Sequence, residues 1–386
     1  MIQTLLYILM AVFCCAMIIT HIAICIGICI SRRKENMLRE KAGAFAPSVS
    51  LIIPLKNEEN NLPRLFNSLE RQTYSNFEII LVNDRSDDSS PCLVQKYQEE
   101  SSRRVTIVTV RENPSLENPK QYALLRGIQE SEGDILLFTD ADCKPVETWI
   151  SSMVLPFYRE SVGVVFAPVH TEPGRGFLKN YQVFDHVFRF FYNVGSAGIG
   201  NASGVFGNNM AVRRTILDAI GGYDTISYSV TEDNALITAV REKTAAEIIP
   251  FSSPDVKVKA APQHSWRELT SQELRWSTGA FFSPDIFSRF GYSLVKIYLA
   301  AGTAAACFSP LNPLLLIITC STILSMSIVA VTGGAMLSMS FRKYWILFLP
   351  AILWSMIYYI FVDALSLLRT PVHWKGNRLK KMKVKE

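Results

Sequence analysis

Residues 135–143 of this chain read Ile-Leu-Leu-Phe-Thr-Asp-Ala-Asp-Cys, an apolar run that leads into two closely spaced acids, Asp140 and Asp142. Large apolar residues in a row are typical of a parallel strand that is buried on both faces. Open α/β sheets bind ligands at the carboxyl ends of their strands, where these acids would lie. Paired carboxylates at that edge can hold a divalent cation against the phosphates of a nucleotide. The stretch therefore predicts an α/β fold with a phosphate site after this strand.

Strand-like and helix-like segments alternate around this stretch, from residue 48 to about residue 261. Further strands are predicted at Val49–Ile53, Phe77–Val82 and Val105–Val110. Apolar spacing predicts helices at Glu58–Arg71, Lys120–Gln129, Asn234–Arg241 and Glu268–Phe282. Such alternation gives a largely parallel sheet whose faces are covered by helices. Residues 195–207 are rich in Gly, Ser and Asn and are expected to form a flexible loop.

Composition points to a membrane protein. The chain has 386 residues, is 49% hydrophobic and carries a formal net charge of +5. Ile2–Ile30 contains no charged residue and is long enough to cross a bilayer. Basic residues 32–34 follow this run, which places the amino terminus outside and the next segment in the cytoplasm. No motif suggests a nucleic-acid partner, so the basic clusters are expected to face membrane lipids.

The carboxyl-terminal region returns to apolar sequence. Leu311–Val331 and Tyr344–Leu368 are predicted spans, whereas Tyr292–Phe308 is short and interrupted by Lys296. Two spans would return the basic tail to the cytoplasm, so Tyr292–Phe308 is expected to lie in the interface. Asp363 is expected near the cytoplasmic end of its span. The predicted domains are an anchor at 1–31, a catalytic domain at 45–290, a membrane region of two or three spans at 291–370 and a basic cytoplasmic tail at 371–386.

An aromatic helix and two polar motifs complete the pattern. Two interpretations of Phe177–Tyr192 are possible. The segment is either a core-facing helix or a helix that lies on the membrane or faces an acceptor, and we favour the second interpretation. Thr231-Glu232-Asp233 reads either as a helix cap or as a helix start that carries a catalytic base. Residues 272–276, Gln-Glu-Leu-Arg-Trp, read either as an ordinary amphipathic helix or as a site for a diphosphate and a sugar ring.

Together these motifs resemble the membrane-bound branch of the family 2 glycosyltransferases, with its D, DxD, ED and QxxRW motifs. The resemblance implies a GT-A fold, a Rossmann-like nucleotide-diphospho-sugar transferase domain, with flanking transmembrane helices. It also implies metal-dependent, inverting transfer of a sugar from a nucleotide sugar, expected to be UDP-linked, to a lipid or glycan hydroxyl at the membrane. A processive polysaccharide synthase of the cellulose, hyaluronan or poly-N-acetylglucosamine type is the alternative. Intact acids in each motif argue against a binding protein that has lost activity.

The resemblance also implies roles for individual residues on the donor side. The nucleotide sugar is expected to contact Pro54, Asn57, Glu58, Asp84, Lys120, Asp140 and Arg275. Asp142, with Asp140, is expected to bind Mg²⁺ or Mn²⁺, because hard oxygen ligands dominate such a site. This chain departs from the family where Asn83 precedes Asp84 in place of a second acid, and where Asn118-Pro119 replaces a glycine before Lys120.

On the acceptor side, the resemblance assigns the catalytic base to Asp233, with Glu232 as a supporting acid. The acceptor is expected to contact Gly207, Asn208, Gln272 and Trp276. The tail sequence Trp-Lys-Gly-Asn-Arg at 374–378 is similar to a Trp-Lys-Gly-Arg segment of lipid-directed relatives, although Asn377 interrupts the match.

Overall fold

A computed structural model describes residues 2–41, 45–112, 118–336, 341–375, 377–380 and 382. The strands are β1 Val49–Leu55, β2 Phe77–Asp84, β3 Arg104–Val110, β4 Ile135–Phe138, β5 Cys143–Pro145, β6 Val162–Phe166, β7 Val169–Thr171, β8 Met210–Arg213, β9 Glu247–Pro250, β10 Val258–Ala260, β11 His373–Trp374 and β12 Asn377–Arg378. The helices are α1 Ile2–Lys41, α2 Leu62–Glu70, α3 Ser90–Glu100, α4 Pro119–Gln129, α5 Trp149–Val154, α6 Phe177–Gly198, α7 Arg214–Ala219, α8 Glu232–Lys243, α9 Trp266–Phe281, α10 Ile286–Phe308, α11 Leu316–Met336 and α12 Phe341–Leu367.

The α/β part of the chain is built on a seven-stranded sheet in the order β3-β2-β1-β4-β8-β6-β9. Strands β1 to β4 run parallel, and β8 is antiparallel to both β4 and β6. Every residue of β4 is buried, as its apolar run predicts. After β1, the chain adds β2 and then β3 on one side of β1. It then returns to pair with the opposite side of β1 as β4. Such a switch point opens a crevice at the carboxyl ends of the strands, and the acids after β4 lie there.

Two local expectations need correction. The predicted helix from Glu58 begins only at Leu62, where Pro63 occupies the first turn because it needs no hydrogen-bond partner for its nitrogen. The predicted loop at 195–207 is helical as far as Gly198. A Cβ at Gly195 would lie 2.4 Å from a side-chain carbon of Ile24, so this glycine permits close packing of α6 on α1. Its role is contact between helices and not flexibility.

Helix α6 is a core helix, so the membrane-facing or acceptor-facing interpretation of its aromatic face was wrong. Tyr181, Phe184, Phe188 and Phe191 are all buried. The helix packs against α1, α11 and α12 and joins their side chains in one hydrophobic cluster. The aromatic side chains of α6 therefore pack against the apolar helices α1, α11 and α12.

Four described helices are long and apolar enough to cross a membrane, at 7–40, 286–308, 313–336 and 348–367. The segment expected to be too short belongs to α10, which extends over 23 residues because Asp285 caps it before the apolar run starts. The lysine that interrupts the run, Lys296, is buried and lies 3.8 Å from Asp363. Asp363 also accepts hydrogen bonds from Ser277 and Tyr292, at 2.8 and 3.1 Å. Asp363 is therefore paired within the protein, and its expected position near the cytoplasmic end of the span stays a prediction.

The described residues of the basic tail fold back onto the α/β part of the chain. Strands β11 and β12 form a hairpin, and the Ser271 hydroxyl of α9 donates to the His373 carbonyl oxygen at 3.4 Å. Further along, the Tyr228 hydroxyl donates to the Lys380 carbonyl oxygen at 3.0 Å. The tail thus packs between α9 and the loop that precedes α8.

Candidate active site

The loops after β1 and β2 are tied together at one end of the sheet. The Asn57 backbone nitrogen donates to the Ser86 hydroxyl at 3.1 Å, and the Asn57 side-chain oxygen accepts from the Asp87 nitrogen at 3.0 Å. Asn57 adopts a φ of 54°, which asparagine tolerates better than most residues. Pro54, the penultimate residue of β1, is buried beneath these loops. Pro54 and Asn57, which are predicted to contact the nucleotide sugar, therefore lie at the switch point.

Asp84 ends β2 and is buried, with 2% of its surface exposed. Its carboxylate forms a two-pronged pair with its own neighbour, since Arg85 Nε and Nη2 lie 2.8 and 3.1 Å from the two oxygens. Arg85 adopts a φ of 56°. A hydrogen bond from a nucleotide base to Asp84 would thus share this carboxylate with Arg85, a neighbour that the sequence pattern did not single out.

Lys120 connects two of the predicted motifs. Its Nζ lies 2.8 Å from Asp140 Oδ1 and 3.2 Å from Glu232 Oε1. Burial lowers the pKa of the Lys120 ammonium, but the charges of Asp140 and Glu232 outweigh burial and hold the pKa above its ordinary value. Lys120 therefore stays charged, and the acids after β4 and at the start of α8 lie within reach of one cation.

The first turn of α4 fixes Lys120 through a residue that sequence reasoning did not assign. The Asn118 side-chain oxygen caps the helix by accepting from the Lys120 backbone nitrogen at 3.0 Å. The Asn118 amide donates to the Ser229 carbonyl oxygen at 3.0 Å and to Glu232 at 3.3 Å. The signal was present, because asparagine followed by proline is a common helix start.

Asp142 is the predicted metal ligand. Burial and the negative charges of Asp140 and Glu58 raise its pKa to about 6. No group of three or more histidine, cysteine or acidic side chains in the described part of the chain could enclose a metal ion. A crowded carboxylate pair without further protein ligands nevertheless fits Mg²⁺ or Mn²⁺, which often bind one or two carboxylates and take other ligands from substrate phosphates and water.

Asp233 lies in the first turn of α8, where the helix amino terminus favours negative charge. Its carboxylate accepts from the backbone nitrogens of Gly207 and Asn234, at 3.0 and 2.9 Å. Burial and the charge of Glu232 raise the pKa of Asp233 to about 6, against the opposing charges of Lys120 and Arg275. A half-buried carboxylate with a raised pKa is suited to accept a proton near neutral pH.

Gly207 and Asn208 lie immediately before β8, next to the acids after β4. The Thr139 hydroxyl donates to the Asn208 carbonyl oxygen at 3.0 Å, and the Asn208 amide lies 3.6 Å from the sulfur of Cys143. The loop before β8 is therefore held between the carboxyl end of β4 and Asp233. Gly207 and Asn208, two of the four residues predicted to contact the acceptor, are thus at the site.

Helix α9 carries Arg275 over the start of α8. The Arg275 guanidinium donates to the Val230 carbonyl oxygen at 3.2 Å. A Cβ at Gly279 would lie 2.3 Å from the Thr231 hydroxyl oxygen, so the two helices are in close contact. Gln272 is half-buried on the same helix, one turn before Trp276. Of the predicted functional residues of α9, Arg275 therefore lies at the start of α8, and its charge acts on Asp233.

Trp276 is held by buried charges of α6 and α9. The Arg189 guanidinium lies 4.6 Å from the centre of the Trp276 ring, and Arg189 pairs with both Asp185 and Glu273. Burial raises the pKa of Glu273 to about 8, although the charge of Arg189 opposes this. The imidazole ring of His186 also lies near Trp276, with 6.2 Å between the two ring centres. Sequence spacing gave no signal for this network because α6 and α9 are far apart in the chain.

Curated relatives cover part of this chain. It is 26% identical over 65% of its length to the probable glycosyltransferase YdaM of Bacillus subtilis, covering 58% of that protein. It is 24% identical over 52% of its length to the beta-monoglucosyldiacylglycerol synthase of Trichormus variabilis, covering 42% of that protein. It is 28% identical over 45% of its length to the 4,4'-diaponeurosporenoate glycosyltransferase of Staphylococcus haemolyticus, covering 44% of that protein. The chain thus spans about half the length of these relatives.

A solved structure supports the fold over nearly the whole chain. The mannosyltransferase PcManGT of Pyrobaculum calidifontis, solved with GDP-Man and Mn²⁺, aligns with a TM-score of 0.52 and 18% identity, covering 93% of this chain and 99% of that one. The expected GT-A fold is therefore confirmed. The profile of glycosyl transferase family 21, a group similar to family 2, matches residues 11–385. The expected glycosyltransferase family is confirmed, and the chain belongs to glycosyl transferase family 21.

Proposed function

We propose that this protein is a membrane-bound, metal-dependent inverting glycosyltransferase that moves a sugar from a UDP-linked donor to a hydroxyl group of a lipid. One observation carries the proposal. Lys120 lies 2.8 Å from Asp140 and 3.2 Å from Glu232, so one buried cation joins the predicted donor motif to the predicted base motif. A donor diphosphate and an acceptor hydroxyl would thus meet in a single cluster.

The donor would lie along the carboxyl ends of β1, β2 and β4. Asp140 and Asp142 would hold Mg²⁺ or Mn²⁺, which when bound stabilises negative charge on the leaving diphosphate. Lys120 and Arg275 add positive charge beside the same group, and an arginine fork suits phosphate oxygens. Asn57 and Asp84 are left to contact the nucleoside.

Asp233 would act as the general base. Its carboxylate takes the proton of the acceptor hydroxyl while that oxygen attacks the anomeric carbon of the sugar. The bond between this carbon and the diphosphate oxygen breaks on the opposite face, so the anomeric configuration inverts. Glu232, bound by Asn118 and Lys120, stays in place as a positioning acid.

The acceptor is proposed to be a lipid because the site is continuous with the apolar helices. Helix α9 packs on α12, and α6 packs on α1 and α11. The beta-monoglucosyldiacylglycerol synthase and the 4,4'-diaponeurosporenoate glycosyltransferase among the relatives are named for lipids, which agrees with this arrangement. Basic residues 32–34 at the end of the first apolar run favour a cytoplasmic site.

The test is incubation of the detergent-purified full-length protein with Mn²⁺, lipid extract and each of several radiolabelled UDP- and GDP-sugars. We expect label from one UDP-sugar in a discrete lipid band, and none with Asp233→Asn. Label in a long polymer would instead support the processive synthase. Transfer from a GDP-sugar would overturn the choice of nucleotide, and no transfer from any donor in several lipid extracts would count against the proposal as a whole.

A further inference from the structure

The carboxyl-terminal hairpin brings a further cation to the mouth of the candidate site. Lys375, in the turn of the hairpin, pairs with the Glu58 carboxylate and donates to the Lys56 carbonyl oxygen at 3.0 Å. Both partners belong to the loop after β1. This loop borders the switch point, so the end of the chain reaches the edge of the sheet that carries Asp140 and Asp142.

The hairpin is held there by contacts that do not involve the Lys375 side chain. Ser271 of α9 binds the His373 carbonyl oxygen, and Tyr228 binds the Lys380 carbonyl oxygen. The Leu379 nitrogen donates to the Val372 carbonyl oxygen at 2.9 Å and closes the base of the hairpin. Lys375 is therefore presented by a fixed frame, and a substitution of its side chain leaves these anchors intact.

The backbone of Lys375 is in an unfavourable conformation, with a φ of 44°. Turns of this kind prefer glycine, asparagine or aspartate at a positive φ, so the turn itself does not favour lysine. Residues in such conformations often occur where a side chain is needed for function. The contacts of the ammonium group, and not the turn, therefore account for a lysine at this position.

Lys375 is also the cation that can change partners. Its side chain is 33% exposed, whereas that of Lys120 is 10% exposed and lies between two acids. Glu58 is buried, and its second oxygen accepts from the Asn61 amide at 2.6 Å. Glu58 would therefore keep a partner if Lys375 turned toward an arriving anion.

We propose that Lys375 is a donor-binding residue, and that the hairpin formed by β11 and β12 holds it over the site so that its ammonium binds the diphosphate of the nucleotide sugar. The inference rests on the proposed function, since it takes the edge beside Asp140 and Asp142 as the diphosphate site. In the free protein, Glu58 holds this ammonium. On binding, a diphosphate oxygen replaces the Glu58 carboxylate as its partner.

The experiment measures binding of UDP, GDP and uridine to the full-length protein in detergent by calorimetry, with Mn²⁺ and with EDTA. Lys375→Met keeps the length of the side chain and removes its charge, and Lys375→Arg keeps the charge. Lys380→Ala is the matched control, because it removes a charge from the same tail at an exposed side chain. A charge-assisted hydrogen bond to a diphosphate corresponds to a loss of about tenfold or more in affinity.

We expect Lys375→Met to weaken binding of the nucleoside diphosphate by about tenfold with and without Mn²⁺, while uridine binding stays unchanged. The affinity of Lys375→Arg for the nucleoside diphosphate should be within about threefold of the wild-type affinity, and that of Lys380→Ala should equal the wild-type affinity. If Lys375→Met binds the diphosphate as tightly as the wild type, or more tightly, Lys375 is only a counterion of Glu58 and the inference is wrong. If the wild type binds neither UDP nor GDP, the proposed function itself fails.

Discussion

The backbone nitrogen of Gly207 donates to Asp233 Oδ2 at 3.0 Å, so the predicted base is oriented by the main chain of the loop before β8. A Cβ at position 207 would lie 2.8 Å from the Cβ of Asp233, closer than such atoms approach in practice. Either the loop or the carboxylate must move to accommodate it. The contact makes Gly207 a positioning residue as well as a predicted acceptor contact.

Gly207→Ala should therefore lower kcat by about 100-fold, because a small displacement of a catalytic group has an effect of this order. The donor dissociation constant should stay within about twofold, since the donor side does not include Gly207. Gly291→Ala is the control, because an added Cβ there meets nothing within 4 Å. Steady-state kinetics of both variants would decide, and an unchanged kcat for Gly207→Ala would contradict the assignment of Asp233.

The pH dependence of transfer should report the ionisation of Asp233. A base must be deprotonated to accept a proton, so kcat/KM should fall by about tenfold per pH unit below the pKa of Asp233. Burial and the charge of Glu232 raise that pKa to about 6. Glu232→Gln removes a negative neighbour and should move the acidic limb to lower pH, whatever its effect on the maximal rate. An acidic limb that stays in place would mean that another group titrates.

Asp142→Ala should abolish transfer and weaken Mn²⁺ binding in the presence of UDP by at least about tenfold, because a direct carboxylate ligand is lost. Manganese binding can be followed by electron paramagnetic resonance, independently of activity. Asp218→Ala, at an exposed position of α7, provides a control for loss of an acid elsewhere. Transfer that remains dependent on Mn²⁺ in Asp142→Ala would remove Asp142 from the metal site.

Arg189→Met should destabilise the protein by about 3–5 kcal/mol, because the buried Asp185 carboxylate would lose its cation and Glu273 would lose a hydrogen-bond donor. Loss of the guanidinium over Trp276 should also raise the KM for the acceptor more than that for the donor. Thermal unfolding in detergent and separate KM measurements would show both effects. Arg267→Met, on the exposed face of the same α9, should change neither value.

The central strand and the acids after it were predictable from local sequence. Ile135–Phe138 is uniformly apolar and is buried throughout, so the position of Asp140 at the sheet edge followed directly. The helices predicted at Lys120–Gln129 and Asn234–Arg241 were likewise confirmed, and they begin at Pro119 and Glu232. These predictions held because a few neighbouring residues determine the outcome.

Features that depend on distant contacts were not predictable in the same way. Gly195 suggested a loop, but its lack of a side chain serves a contact with α1. Lys296 weakened the prediction of α10, although Asp363 pairs with it across helices. The contact between Lys375 and Glu58 joins the two ends of the domain, and no spacing rule connects them. Pairing between segments that are remote in sequence explains each failure.

The contact between Lys375 and Glu58 has a consequence for membrane topology. Glu58 lies in the catalytic domain before α10, and Lys375 follows α12, yet the two side chains touch. In a bilayer, both side chains would have to lie on the same side, so the chain between them would cross it an even number of times. Because α10, α11 and α12 are all long enough to span, either one of them or all three would not cross. We propose that α10, the least apolar of the three, lies in the interface while α11 and α12 cross.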